Sequence, residues 1–236
     1  MAFKDELAVE MEEILNQKWN LRDGQVVPET TDVALTGGGV KLDATIAYAD
    51  LADSTELAMD YDARVAAKVF RAFLAMSTRI LRHEGGSIRS FDGDRVMGIF
   101  VGNYKNTSAV KAALKINWAF LNLLKPKLLA KYSSLANGSY KLVHCTGVDT
   151  SSVLAVRAGI RGNNDLVWVG RCPNVAAKLS AIRSSPYHSY ISGEVYDQLA
   201  KEGKESPDGR SMWEERSWTA FPRVKRVFRS NWAWTP

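Results

Sequence analysis

Apolar residues recur every three to four positions from Phe3 to Trp19 (Leu7, Met11, Ile14, Leu15, Trp19), which predicts an amphipathic helix. Asp5 and Glu6 lie near its N-terminus, where the helix dipole favours negative charge. The polar, Pro- and Gly-containing stretch Asn20–Gly39 reads as a linker or a wrapped arm. Residues 1–38 are therefore expected to form a helix and arm outside the main fold, and residues 39–236 a single domain.

The pattern then changes to period two. Over Leu42–Leu51, alternation puts Ala44, Ile46, Tyr48 and Asp50 on one face of a strand and Thr45, Ala47 and Ala49 on the other. A polar turn, Ala52-Asp53-Ser54-Thr55, leads to a helix over Asp62–Arg82, with an apolar stripe at Val65, Val69, Phe73, Met76 and Ile80. Gly85-Gly86 ends it. Ser87–Phe91 and Arg95–Val101 are strand-like runs around Asp92-Gly93-Asp94, and the Asp-Gly pair predicts a type I′ hairpin. Thr107 and Ser108 are candidate caps of a helix bearing Val110, Leu114, Trp118, Leu121 and Leu124 and stopped near Pro126.

Further strands are predicted at Lys141–Val148, Ser152–Ile160, Leu166–Val169 and Ser189–Ser192, and helices at Asn174–Arg183 and Gly193–Lys201. The order β-α-β-β-α-β is that of a ferredoxin-like core in an α+β domain. From Arg210 onward, Trp213, Trp218, Trp232 and Trp234 lie among Arg and Lys. Such a mix can stack single-stranded nucleic acid. A closing strand pair with buried Trp and wet Arg is the favoured reading, so nucleic acid is not an expected partner.

Composition narrows the classes. A chain of 236 residues, 46% hydrophobic and 24% charged, can bury a substantial core. Its formal net charge of +5 suits a phosphate-bearing ligand without demanding a nucleic acid. The start lacks the apolar run of a signal peptide, and no stretch is long enough to span a bilayer. Cys145 and Cys172 lie far apart without a CxxC spacing. A cytoplasmic protein with two free thiols and no membrane contact is expected.

Two carboxylates carry the candidate chemistry. Asp50 ends an apolar strand, a costly place for an unpaired charge, and Asp94 lies at the tip of a hairpin able to pair beside it. Alone, Asp50 reads equally as a cap or turn residue, and Asp94 more readily as a turn former. Side by side they would repel, and hard divalent cations between them would remove the conflict. That is the basis of a two-metal site acting on a polyphosphate.

These elements resemble the class III nucleotidyl cyclases. The likeness rests on IAYADLADST (a strand ending in aspartate, then a Ser/Thr turn), SFDGDRVMGIF (a Gly-Asp hairpin and apolar strand) and, more loosely, GRCPNVAAKL, and it runs from about Leu42 to Leu199. The resemblance implies a ferredoxin-like cyclase catalytic domain, a mostly antiparallel sheet flanked by helices. It implies Asp50, Asp94 and the Leu51 carbonyl as ligands of two Mn2+ or Mg2+ ions, and phosphate-cradling amides around Asp53, Ser54 and Thr55. Asn174 would position the ribose. Lys178 stands where the family has an arginine that meets charge developing on the phosphates, supplying charge without a guanidinium fork. The metal half and the Asn/basic half of such a site come from opposite subunits, which implies a homodimer with two shared sites.

Ser90 and Val167 occupy the positions where adenine readers of the family carry Lys and Asp and guanine readers carry Glu and Cys. The whole pattern is similar to the pyrimidine cyclases of bacterial Pycsar anti-phage systems, whose cyclic nucleotide activates a separately encoded effector. Tyr48, on the Asp50 face, either fills the space a smaller base leaves or packs in the core. UTP is favoured over CTP on overall likeness. An adenylate or guanylate cyclase with unusual base contacts, and a cyclase-like nucleotide sensor without activity, are the remaining alternatives.

Overall fold

The computed structural model describes residues 2–236. Helix α1 (Phe3–Leu15) ends before Trp19 and buries none of its residues. The stretch expected as a linker or a wrapped arm carries a strand, β1 (Asn20–Asp23), parallel to the start of β2 (Gly38–Leu51). Val33 is buried there, and Glu29 takes two hydrogen bonds from the Arg89 guanidinium at 2.7 and 2.8 Å. The arm is therefore tied into the fold.

Helix α2 (Ser54–Asp60), which periodicity does not reveal, precedes α3 (Ala63–His83). The hairpin strands are β3 (Ser87–Asp92) and β4 (Arg95–Val101). Helix α4 (Lys105–Ala119) contains Thr107 and Ser108 rather than being capped by them; Thr107 Oγ1 accepts from the Ala200 amide at 3.0 Å. The helix does not stop at Pro126. A π-helical turn over Phe120–Leu124 carries it into α5 (Lys125–Lys131), whose first turn holds the proline, where a missing N–H costs nothing. Helix α6 (Ser133–Asn137) follows.

The two strands expected from Lys141 to Ile160 are one, β5 (His144–Ile160), followed by β6 (Asn163–Gly170) and α7 (Arg171–Ser180). The polar residues that break the apolar pattern at its middle are satisfied from outside the strand. Asp149 accepts from the Arg171 guanidinium at 3.1 and 3.2 Å, Thr150 Oγ1 bonds Thr45 and the Ala44 carbonyl, and Ser151 Oγ accepts from the Cys172 amide. The remaining elements are β7 (Ser189–Ser192), α8 (Gly193–Asp197), α9 (Lys201–Lys204), β8 (Glu214–Ser217) and β9 (Arg226–Ser230).

The strands form one nine-stranded sheet ordered β3-β4-β2-β5-β7-β9-β8, with β1 beside β2 and β6 beside β5. Strands β2 to β5 with α3 and α4 make the expected β-α-β-β-α-β unit. The β8–β9 pair closes the edge as anticipated. Trp213 is buried and donates Nε1 to the Gly203 carbonyl at 2.8 Å, while Arg216 and Arg226 stay exposed. Among the described residues no helix is long and apolar enough to cross a membrane.

The pleat of β2 sorts the core. Ala47, Ala49 and Leu51 face α3 and α4, with Phe73, Leu81, Leu114 and Phe120. Ala44 and Ile46 face α7, with Met97, Ile99, Cys172 and Ala176, and Tyr48 packs against them. Cys145 and Cys172 are both free and buried, and burial pushes each thiol up to about 12. Helix α7 presses so closely on β5 that a Cβ on Gly147 would stand 2.2 Å from the Ala176 carbonyl oxygen and 2.3 Å from the Ser180 nitrogen.

Gly147→Ala should therefore lift α7 and cost about 1–3 kcal/mol, measured by urea unfolding. A second prediction concerns Asp149, whose side chain is fully buried; burial pushes its carboxyl up to about 6, with Arg171 opposing. A raised folded-state value means that the folded chain holds this proton more tightly than the unfolded chain. The contribution of Asp149 to stability should therefore fall as pH rises from the ordinary carboxylate range through about 6, then level off. Buried His144 and His188, both held below the usual imidazole range, add the opposite slope in the same window, so the test is a difference: the unfolding free energy of the wild type relative to Asp149→Asn should fall from pH 4.5 through 5.5 to 7.

Candidate active site

Antiparallel pairing of β2 with β4 sets Ala49 opposite Val96; continued one and two steps, that register brings Arg95 opposite Asp50 and Asp94 opposite Leu51. The hairpin is a two-residue loop, Gly93-Asp94, between the paired Asp92 and Arg95. Only Gly93 takes a positive φ, +60°, which is the pattern of a type II′ turn rather than the expected I′ turn centred on Asp92-Gly93. Asp94 thus keeps an ordinary backbone at the tip. Its Oδ2 is buried without a hydrogen-bond partner.

The Asp50 side chain is only 13% exposed. Burial and then the Asp94 charge raise its carboxyl above the ordinary aspartate range, while a hydrogen bond from Arg183 pulls the other way. Arg183 Nη2 donates to Asp50 Oδ2 at 2.9 Å and reaches the Leu51 carbonyl at 3.5 Å. Beyond Leu51 the chain turns sharply. Asp53 adopts a left-handed φ of 51°, strained for a residue with a Cβ, and α2 starts at the next residue. The turn is pinned by Tyr140, whose hydroxyl donates to the Ala52 carbonyl at 2.7 Å, and by the Ala52 amide on the Val143 carbonyl at 2.8 Å. Ser54 and Thr55 then present first-turn amides, which an α-helix leaves without internal acceptors.

Tyr48, Met97 and Ser90 form one row across β2, β4 and β3, so Tyr48 and Ser90 share the Asp50 face. Burial raises the Tyr48 phenol above its usual range, with Ser90 and Arg95 opposing. The Arg95 guanidinium lies 5.2 Å from the Tyr48 ring centroid and pairs with Asp92.

The other expected residues are elsewhere in the chain. Val167 is 47% exposed on β6, opposite Val156, eleven residues along β5 from Cys145, the partner of Asp50. At about 3.3 Å per residue that is on the order of 35 Å of strand. Helix α7 starts at Arg171 rather than Asn174, because Arg171 anchors its first turn on Asp149 and on Glu194 at 2.6 Å. Asn174 and Lys178 share its exposed face, opposite the buried Val175, Ala176 and Leu179, and Asn174 Nδ2 donates to the Gly170 carbonyl at 3.0 Å. One chain therefore gathers Tyr48, Asp50, Leu51, the Asp53–Thr55 turn, Ser90 and Asp94, and leaves Val167, Asn174 and Lys178 facing solvent.

Two carboxylates and a main-chain carbonyl are a hard-oxygen donor set, and the partnerless Asp94 Oδ2 suits a cation. Among the described residues no group of three or more His, Cys, Asp or Glu side chains could hold a metal ion. The residues therefore fit cations whose remaining ligands are water and phosphate, as for magnesium at nucleotide sites, better than a cage built wholly of protein. Sequence reading missed three residues of this neighbourhood. Strand alternation through Met97 could have placed Arg95 on the Tyr48 face; Arg183 and Tyr140 reach the site only through tertiary packing.

No protein-family model matches the chain. Curated relatives match over nearly its full length. The uridylate cyclase of Rhodovulum sp. (strain MB263) is 43% identical over 233 residues, 98% of this chain and 97% of that one. The uridylate cyclase of Xanthomonas perforans is 41% identical, covering 99% of both chains, and that of Burkholderia cepacia 38%, covering 100% of both. Among solved structures, the adenylyl cyclase CyaB from P. aeruginosa superposes with a TM-score of 0.68 at 19% identity, over 81% of this chain and 95% of that one. The guanylyl cyclase Cya2 gives 0.67 at 16% identity, over 84% and 96%. At such identities the structures speak for the fold alone, while the full-length relatives identify the family: the chain belongs to the uridylate cyclases, built on the class III nucleotidyl cyclase fold.

Proposed function

We propose that the protein converts UTP to 3′,5′-cyclic UMP and diphosphate, as a second messenger in anti-phage defence of the Pycsar kind. The substrate reading is carried by identity of 38–43% to three uridylate cyclases over essentially their whole length. The defence role rests on the likeness to Pycsar cyclases, with a separately encoded effector as the receiver of the product.

Asp50, Asp94 and the Leu51 carbonyl would hold two divalent cations, Mn2+ or Mg2+. Bound there, such ions supply charge neutralisation on the phosphates and a lowered pKa for the ribose 3′-hydroxyl that attacks the α-phosphate in line. The first-turn amides after Asp53 receive phosphate oxygens. Tyr48 and Ser90 border the space for the base; the bulk of Tyr48 favours a pyrimidine ring over a purine. Asn174 orients the ribose and Lys178 meets the charge developing on the phosphates. Both face solvent on α7, which supports their serving the site of a second copy. Val167, far along the sheet from Asp50, joins that second-copy half. Positioning and electrostatics do most of the work, since no covalent intermediate is needed.

Pure protein incubated with Mn2+ and each of the four nucleoside triphosphates should yield a product with the mass of cyclic UMP from UTP, in clear excess over cyclic CMP, AMP and GMP. Dominant cyclic CMP or purine products would overturn the substrate reading. Asp50→Ala and Lys178→Ala should each lose about 100-fold or more in kcat. Mixing the two should restore about a quarter of the wild-type rate, because half the dimers then hold one intact site; mixtures as inactive as their components would overturn the shared site. Tyr48→Ala should lower kcat/KM for UTP about tenfold while raising turnover of ATP, since discrimination by pocket size is worth only a few kcal/mol.

A further inference from the structure

We infer that Arg183 is a built-in counter-ion of Asp50 that competes with a divalent cation for the Asp50 carboxylate and the Leu51 carbonyl. This rests on the proposed metal role of those two groups. Arg183 Nη2 donates to Asp50 Oδ2 at 2.9 Å and lies 3.5 Å from the Leu51 carbonyl oxygen. Its other amino group, Nη1, donates to the carbonyls of Ser180 at 2.6 Å and Ile182 at 3.3 Å, at the C-terminal end of α7. One planar fork therefore bridges the carboxylate end of β2 and the last carbonyls of α7, a use of geometry open to arginine and not to a point charge.

The neighbouring groups make this a matched arrangement. Arg95, across the sheet from Asp50, is engaged with Asp92 and lies over the Tyr48 ring, so Arg183 is the cation hydrogen-bonded to Asp50. Asp94 Oδ2, in contrast, has no partner. Asp94 Oδ2 is an oxygen that no protein group holds, whereas a cation that takes Asp50 Oδ2 and the Leu51 carbonyl meets the guanidinium there. Like charges so close repel, and the Arg183 side chain, 29% exposed, has solvent to move into. Because the same guanidinium caps α7, its movement also alters the end of the helix that carries Asn174 and Lys178.

The test is direct titration of the full-length protein with Mn2+, without nucleotide, at pH 7.5, reading free Mn2+ by electron paramagnetic resonance. Arg183→Ala should bind Mn2+ about three- to tenfold more tightly than wild type, the range expected for removal of a partly exposed competing ion pair. Arg183→Lys, which keeps the charge and loses the fork, should fall between. Metal-free Arg183→Ala should also melt below wild type, and its Tm should rise more on addition of Mn2+. Equal or weaker Mn2+ binding by both variants, with an unchanged Tm gain, would overturn the inference; if the Ala variant does not fold, the Lys variant alone decides it. Asp50→Asn separates the two levels. Undiminished Mn2+ binding by Asp50→Asn removes the metal role of Asp50 itself, whereas lost binding there with wild-type binding by the Arg183 variants removes only the role of Arg183.

Discussion

A carboxylate at the end of a strand packed on both faces is costly to keep charged, and the surroundings of β2 are arranged around Asp50. Burial disfavours its ionised form, and Asp94, brought alongside by the hairpin, disfavours it further. Arg183 offsets part of this from the far end of α7. The arrangement leaves a hard-oxygen site with one carboxylate oxygen on Asp94 still without a partner, a state that a cation relieves. The left-handed backbone of Asp53 turns the chain so that first-turn amides follow directly after the carboxylates. The proposed cation ligands and anion donors therefore adjoin, as a metal-bound polyphosphate would require.

The seat of α7 is the second constraint. Gly147 lets the helix backbone approach the sheet, and Arg171 fastens its first turn to Asp149 and Glu194. Held in this way, α7 buries Val175, Ala176 and Leu179 and turns Asn174 and Lys178 outward. The separation of the Asp50–Asp94 surface from the Asn174–Lys178 surface is the physical content of the shared-site proposal.

Elements with strong periodicity and a buried face were legible from sequence: the Asp50 strand, the long amphipathic helix after it, the hairpin and the closing strand pair. Departures arise where tertiary partners override local pattern. The polar run at Asp149–Ser151 reads as a break, yet Arg171, Thr45 and the Cys172 amide satisfy it within an unbroken strand. Pro126 reads as a helix stop, yet a π-helical turn delivers it to a position where its missing N–H is harmless. At the site, alternation alone put Tyr48 and Asp50 on one face, and the hairpin spacing put Asp94 beside them. The contact of Arg183 with Asp50 spans 133 positions and carries no local signature.

The central claim is that Asp50 and Asp94 hold divalent cations against a uridine triphosphate in a site completed by a second copy. Crystals grown with Mn2+ and a non-cyclisable UTP analogue, measured at the manganese absorption edge, test it most directly. Two anomalous peaks between Asp50, Asp94 and the triphosphate, with Asn174 and Lys178 of another copy at the ribose and phosphates, are predicted. Nucleotide bound with no anomalous peak at either aspartate, or with Asn174 and Lys178 far from it in every copy, would contradict the account.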